Sequence, residues 1–229
     1  MDGVTIPKTP SSSVGNYLKA IWESAEEGPA STKEVADRLS VSPASVTNMF
    51  ARLREMGLVE YERYRGASLT EEGHAEALRL VRRHRLIEAF LLDQLGYSWE
   101  EVHEEAEKLE HAVSDRFTER LAELLGHPDH GPHGDPIPAA DGTLEPDGSF
   151  PLVAAAVGQR VLIARVGHET SALLTYLGAR GLVPGRLLRV EEARTLDGVI
   201  TVADEDGLTH SLGAPLAGTL FVRSAPEDG

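Results

Sequence analysis

Residues 31–50 read STKEVADRLSVSPASVTNMF, two short helical patterns joined by a three-residue turn. Ser31-Thr32-Lys33-Glu34 has the form of a capping box, in which hydroxyl and carboxylate each accept the other residue's backbone N–H. It opens a helix from Lys33 to about Leu39. Ser40-Val41-Ser42 supplies the turn, and Pro43 stands in the first turn of the next helix, where its missing N–H costs nothing. That helix carries Val46, Met49, Phe50, Leu53 and Met56 inward at helical spacing and stops at Gly57. Upstream, Ser11–Ser13 precede Val14, Leu18, Ile21, Trp22 and Ala25, a further helix that ends at Gly28-Pro29. Downstream, residues 58–70 (LVEYERYRGASLT) read as two short strands around an Arg-Gly turn. Three helices and a β-hairpin predict a winged helix-turn-helix.

Beyond it, Thr70-Glu71-Glu72-Gly73 begins a long helix that runs to about Leu95 and ends at Gly96. A second is expected from Ser98 to about Leu125, ended by Gly126. Residues 127–150 (HPDHGPHGDPIPAADGTLEPDGSF) are rich in Pro, Gly and Asp and read as a linker. From Pro151, short apolar runs (Val161–Ile163, Leu187–Val190, Val199–Val202, Leu220–Val222) alternate with Gly and Asp turns around a helical stretch near Thr170–Gly178. That pattern predicts a small β-barrel. The expected class is mainly α with a small β domain. Residues 1–70 form the winged helix, 71–127 a helical domain, 128–150 a linker and 151–229 the barrel.

The 229 residues suffice for two or three domains, and 41% hydrophobic content supports real cores. No apolar run approaches membrane-spanning length. With no cysteine, disulfides, thiolate zinc sites and cysteine nucleophiles are excluded, and a cytoplasmic address is the default. The net charge of −15 argues at first against nucleic acid. Its distribution removes the objection. Residues 1–70 carry eight basic and nine acidic side chains, against seven and fifteen in residues 71–130. The first domain is free to meet phosphates, while the middle suits hard cations.

In a helix-turn-helix the second helix enters the major groove and its first residues touch base edges. Here these are Ser42, Pro43, Ala44, Ser45, Thr47 and Asn48. Asn makes bidentate bonds to adenine, Ser donates or accepts, and Ala packs on a thymine methyl. Thr32, Thr47, Arg52, Tyr64 and Arg65 are candidates for phosphate contacts. The same residues also suit a solvated three-helix unit or a protein-interaction module.

The richest constellation is His84-x-x-x-Glu88 on one helix and His103-x-x-x-Glu107-x-x-Glu110-His111 on the next. On a continuous helix, positions 103, 107, 110 and 111 fall within one stripe of roughly 100°. Imidazole with carboxylate and no sulfur fits Mn²⁺ or Fe²⁺ and tolerates Zn²⁺ or Co²⁺. The bland alternative is a solvated acidic face, given the density of Glu over residues 100–110. His127, His130 and His133 form a second histidine cluster, but flanking Pro and Gly give it no rigid scaffold. Leu109, Val113, Phe117, Leu121 and Leu124 make an apolar set that serves either as core or as a dimer face.

Several stretches together resemble the diphtheria-toxin-repressor family of iron- and manganese-dependent transcriptional regulators over nearly the whole chain. They are Tyr17–Ile21, Ser45–Met49, Tyr61–Gly66, Arg83–Leu86, Glu110–Asp115 and Gly134–Pro138. The resemblance implies a homodimer that binds divalent metal at two neighbouring sites and clamps palindromic operator DNA, with a C-terminal barrel of SH3-like (FeoA-like) type. It assigns His84, Glu88 and His103 to the ancillary site and Glu107, Glu110 and His111 to the primary one. Iron-type members carry cysteine at the position of Glu107 and manganese-type members glutamate, so Mn²⁺ is favoured. Co²⁺, Zn²⁺, Cd²⁺ or Ni²⁺ would substitute in vitro. Asn16 replaces a first-helix ligand of the family, and Lys19 stands where manganese-type members have an acidic one. In the barrel, Arg165 and His168 fall at ancillary positions, with Glu169 adjacent. Arg165 is no ligand; His168 and Glu169 are the candidates there.

Metal that favours the DNA-competent state would shift the population toward it, and operator DNA would in return tighten metal binding. Two other classes stay open. One is a metal-independent regulator with a small-molecule pocket. The other is a hydrolytic or redox metalloenzyme.

Overall fold

The computed structural model describes residues 11–25, 28–167, 170–193 and 198–226. The chain divides into two compact units. The first comprises the described residues up to Arg83 with Glu110–Val113 and Pro138–Thr143. The second comprises His84–Leu109, Ser114–Ile137 and the described residues from Leu144 onward. No described helix is long and apolar enough to cross a membrane.

The first unit opens with α1 (Ser12–Ser24), α2 (Thr32–Leu39) and α3 (Pro43–Glu55), followed by β1 (Val59–Glu62) and β2 (Gly66–Leu69). The capping box forms as expected. Ser31 Oγ accepts the Glu34 N–H at 3.2 Å, and Glu34 Oε2 accepts the Ser31 N–H at 2.8 Å. The Ser31 backbone N–H, helped by its hydroxyl, holds the Glu34 carboxyl below its ordinary pKa. Leu18, Ile21, Val35, Val46, Phe50 and Leu53 are fully buried in one core, each contributing about 1.5–3 kcal/mol. Met56, expected inward, is instead 44% exposed, because it caps the last turn of α3 rather than lying within it.

Strands β1 and β2 pair antiparallel from Val59↔Leu69 to Glu62↔Gly66. Ala30 extends the ribbon, exchanging both backbone bonds with Ala67 at 2.8 and 2.9 Å. Gly66 sits at φ +98°, and a Cβ there would stand 2.4 Å from the Ala30 carbonyl oxygen, so the close approach requires glycine.

Helix α4 (Glu71–Leu95) begins in the first unit and ends in the second. The single helix expected over 98–125 is two, α5 (Val102–Leu109) and α6 (Asp115–Leu124). Two local bonds explain the break. Arg83 Nη1 donates to the Glu110 carbonyl at 3.0 Å, taking the acceptor that a continuing helix would use. Ser114 Oγ accepts the Phe117 N–H at 3.2 Å, an N-cap that starts α6 afresh. Glu110 and His111 therefore lie in a turn, and the one-stripe argument holds only for His103 and Glu107. Of the expected apolar set, Leu121 is buried, while Leu109, Phe117 and Leu124 are 36%, 45% and 63% exposed.

The remaining strands are β3 (Phe150–Pro151), β4 (Arg160–Val166), β5 (Leu187–Ala193), β6 (Val199–Asp204), β7 (Thr209–Gly213) and β8 (Leu220–Ser224), with α7 (Ser171–Gly178) and α8 (Ala214–Thr219). They form one antiparallel sheet in the order β3-β8-β4-β5-β6-β7. Register breaks at Ile163/Arg165 and Val190/Glu192 are bulges of the kind that bend and twist a sheet. Alternate residues (Val161, Ile163, Leu188, Val190, Ile200, Val202, Val222) share one buried core.

Candidate functional site

The helix α3 face is open. Ser42, Pro43, Ala44, Ser45, Thr47 and Asn48 are all exposed around the buried Val46. All three hydroxyls of the set already have local partners. Ser42 Oγ accepts the Ser45 N–H at 3.2 Å as the N-cap, and Thr47 Oγ1 donates to the Pro43 carbonyl at 3.0 Å. Ser45 Oγ in turn lies 2.9 Å from Ser42 Oγ, so Asn48 is the stronger candidate for a base contact. In the wing, Tyr64 takes φ +71° and is 92% exposed, with the Arg63 guanidinium 5.2 Å from its ring centre. Arg65 pairs with Glu62 at 3.0 Å on the surface, and Arg52 is exposed. Thr32 is half-buried at the start of α2. The interface so built is a short polar reading edge flanked by cations.

The second unit gathers His84, Glu88 and His103. His84 and Glu88, four apart on α4, share a face, and His103 comes from the second residue of α5. His84 Nε2 lies 2.8 Å from Glu88 Oε1 and 3.2 Å from His103 Nδ1; His103 Nδ1 lies 3.0 Å from the same Oε1. The three ligand atoms lie within 4.8 Å of one another. The His84 and Glu88 side chains are only 5% and 3% exposed and that of His103 23%. Two ring nitrogens and a carboxylate oxygen facing one point form a donor set for a divalent ion of borderline or hard character. Glu107 belongs to this unit as well, with its Oε1 3.9 Å from His84 Nδ1 and its side chain 37% exposed.

A second set lies in the first unit, on α1 and the turn after α5. His111 Nε2 is 2.5 Å from Asn16 Oδ1 and 3.3 Å from Glu110 Oε1. The Glu110 side chain is fully buried, and its Oε2 faces Lys19 Nζ at 3.4 Å. Oxygen, oxygen and imidazole nitrogen meet here too, but the one carboxylate already has an ammonium beside it.

Arg165 is bound up in the barrel, with Nε 3.1 Å from Asp147 Oδ2 and its guanidinium stacked 3.5 Å over the Phe221 ring. His168 and Glu169 lie outside the described residues. His127 and His130 are exposed. His133 behaves differently from the sequence expectation. It is 1% exposed, and its Nδ1 is 3.7 Å from Glu88 Oε1. The linker that carries it is firmly held, with Trp99 Nε1 donating to the Pro132 carbonyl at 3.0 Å and Arg85 pairing with Asp135 at 3.3 Å. The Pro/Gly richness that suggested a loose loop instead permits this tight packing. The one available signal was the position of His133 between Pro132 and Gly134, beside the Gly134–Pro138 stretch.

Comparison with known proteins extends the picture. Residues 11–67 match the iron-dependent repressor N-terminal DNA-binding domain, and residues 70–139 match the iron-dependent repressor metal-binding and dimerisation domain. Residues 150–224 match the FeoA domain. The chain is 33% identical over 211 residues to the iron-dependent repressor IdeR of Mycobacterium leprae, covering 84% of this chain and 90% of that protein. It is 39% identical to IdeR of Mycobacterium tuberculosis over 123 residues, 53% of this chain and about half (54%) of that relative's length. A solved manganese-dependent transcriptional repressor in complex with manganese superposes with a TM-score of 0.87 at 41% identity, covering 93% of this chain and 100% of the other.

Proposed function

The chain belongs to the diphtheria-toxin-repressor family of metal-dependent transcriptional repressors, and from that premise we propose that it clamps a palindromic operator as a homodimer when Mn²⁺ is bound. Fe²⁺ is the second activating ion. The observation that carries this reading is the convergence of His84 Nε2, Glu88 Oε1 and His103 Nδ1 in a shielded pocket of the second unit. No sulfur ligand competes, since the chain has no cysteine, and Glu107 adds a hard oxygen nearby. Zn²⁺, Co²⁺, Cd²⁺ and Ni²⁺ would enter the same nitrogen–oxygen set in vitro.

Asn16, Glu110 and His111 are the residues of a second, weaker site, with Lys19 holding part of the charge of Glu110. A bound divalent ion supplies positive charge that offsets buried and neighbouring carboxylates. This chain's own residues would do the rest: His84, Glu88 and His103 would hold the ion, and α3 and the wing would meet DNA. An ion that binds the DNA-competent state more tightly raises that state's population, and operator binding tightens the ion by the same factor. The exposed Leu95, Tyr97, Phe117 and Leu124 of the second unit supply apolar surface for the dimer contact. The protein acts as a cytoplasmic regulator and not as an enzyme.

The test is a titration of chelator-stripped protein with Mn²⁺, anaerobic Fe²⁺ and Zn²⁺, following anisotropy of a selected palindromic DNA at fixed salt. Binding that appears with Mn²⁺ and is reversed by chelator is expected. Glu88→Gln is expected to shift the Mn²⁺ midpoint upward by at least about tenfold. Operator binding indifferent to metal would overturn the reading in favour of a small-molecule regulator.

A further inference from the structure

We propose that His133, from the linker between α6 and the barrel, is a fourth protein ligand of the ion held by His84, Glu88 and His103. The inference rests on the metal-binding reading of that trio.

The first argument is tautomeric. His133 Nε2 lies 2.9 Å from the Trp99 backbone carbonyl oxygen, which only accepts. Nε2 therefore carries a proton, and the neutral ring that a metal requires would present its lone pair at Nδ1. Nδ1 is the atom turned toward Glu88, 3.7 Å from Oε1. An N–H given to a backbone carbonyl while the other nitrogen stays basic is the arrangement that orients a ligating histidine and strengthens it as a donor.

The second argument is distance. Two donors each about 2.1 Å from one ion stand about 3 Å apart at a right angle and about 4.2 Å apart when opposite. The separation of 3.7 Å from Glu88 Oε1 lies between these limits; His133 stands outside the trio whose ligand atoms all lie within 4.8 Å of one another, so its ring must tilt toward the ion as it binds. The three pairs within the trio, at 2.8–3.2 Å, fit the right-angle end.

The third argument is rigidity. The His133 ring packs edge-on against Trp99, with centroids 5.0 Å apart. Its carbonyl accepts the Val166 N–H of β4 at 3.0 Å. The next residue, Gly134, takes φ +89°, and a Cβ there would lie 1.9 Å from the Ala164 carbonyl oxygen. His133 is thus fixed from both sides, and an ion that takes its Nδ1 also braces the linker against β4.

The test uses the full chain loaded with Co²⁺, in which each ligating histidine with a protonated second nitrogen gives an exchangeable, hyperfine-shifted N–H signal in the proton NMR spectrum. His133→Phe keeps a ring against Trp99 and removes the donor. It is expected to lose one shifted N–H signal and to bind Co²⁺ at least about tenfold more weakly. Unchanged signals and affinity would overturn the proposal. Wild-type protein without any shifted histidine N–H would overturn the metal-binding trio itself, and this inference with it. Should the variant fail to fold, wild-type protein with ¹⁵N-labelled histidine and ¹¹³Cd²⁺ decides the matter. Scalar coupling to His133 Nδ1 supports the assignment, and coupling confined to other histidines refutes it.

Discussion

Lys19 Nζ stands 3.4 Å from Glu110 Oε2, an ammonium 11% exposed against a carboxylate wholly withdrawn from solvent. The pair joins α1 to the turn after α5 and places a permanent cation beside the carboxylate of the Asn16–Glu110–His111 set. If that set takes a divalent ion, the internal charge would supply part of the neutralisation the ion provides.

Lys19→Met removes that cation and leaves the stem volume. Breaking one side of a buried pair typically costs about 3–5 kcal/mol, because the remaining charge stays desolvated. The metal-free variant is therefore expected to melt well below the wild type. Mn²⁺ should restore part of the loss, so the Mn²⁺-induced rise in melting temperature is larger in the variant. Equal rises, measured by differential scanning calorimetry at matched ion concentration, would show that Lys19 does not substitute for metal.

The winged helix was legible because each of its signals is local. Ser31 and Glu34 cap α2, Pro43 starts α3, and the burial of Val46, Phe50 and Leu53 follows their spacing. The break between α5 and α6 was less legible because part of its cause is distant in sequence: Arg83 claims the Glu110 carbonyl. Spacing alone therefore extended the helix and placed Glu110 and His111 on a stripe they do not share. Strand β7 escaped notice because it buries only Leu212. The burial of His133 is invisible to local spacing for a related reason. Its scaffold consists of Trp99, Arg85 and β4, residues far away along the chain.

Gly134→Ala measures how firmly that linker is pressed to the barrel. Both the left-handed backbone, at φ +89°, and the approach to the Ala164 carbonyl oppose a side chain. The backbone strain alone costs about 1–2 kcal/mol, and the clash adds to it. Thermal melting should reveal a loss of at least about 2 kcal/mol with unchanged far-ultraviolet circular dichroism. A neutral substitution would mean that the linker can lift from β4 at no cost.

Acid should weaken the C-terminal sheet through Asp204. Its carboxylate accepts Arg186 Nη2–H at 2.8 Å, and Oδ1 takes the Leu208 N–H at 2.9 Å, bonds that hold its pKa well below the ordinary carboxylate value. A depressed folded pKa means stabilisation present above the unfolded value near pH 4 and lost as pH falls through the folded one. Asp204→Asn should therefore lower the melting temperature at pH 7, and the gap to wild type should narrow steadily below about pH 4. A gap that stays constant with pH would remove the Arg186–Asp204 pair as its cause.

At the proposed DNA face, Asn48 and Arg52 are expected to separate reading from holding. Asn48 is exposed on α3 nearly two turns beyond the cap, whereas Arg52, also exposed, follows a turn later near the helix end. A bidentate amide–adenine contact is worth about 1–3 kcal/mol of discrimination. Asn48→Ala should then weaken operator binding about 5- to 150-fold while leaving random DNA and the salt dependence unchanged. Arg52→Ala should weaken both DNAs alike and reduce the slope of log affinity against log salt by about one. Anisotropy titrations at several salt concentrations with saturating Mn²⁺ distinguish the two. If Asn48→Ala costs the same on operator and on random DNA, the amide has no part in reading sequence, and base recognition falls to Ser45 and the wing.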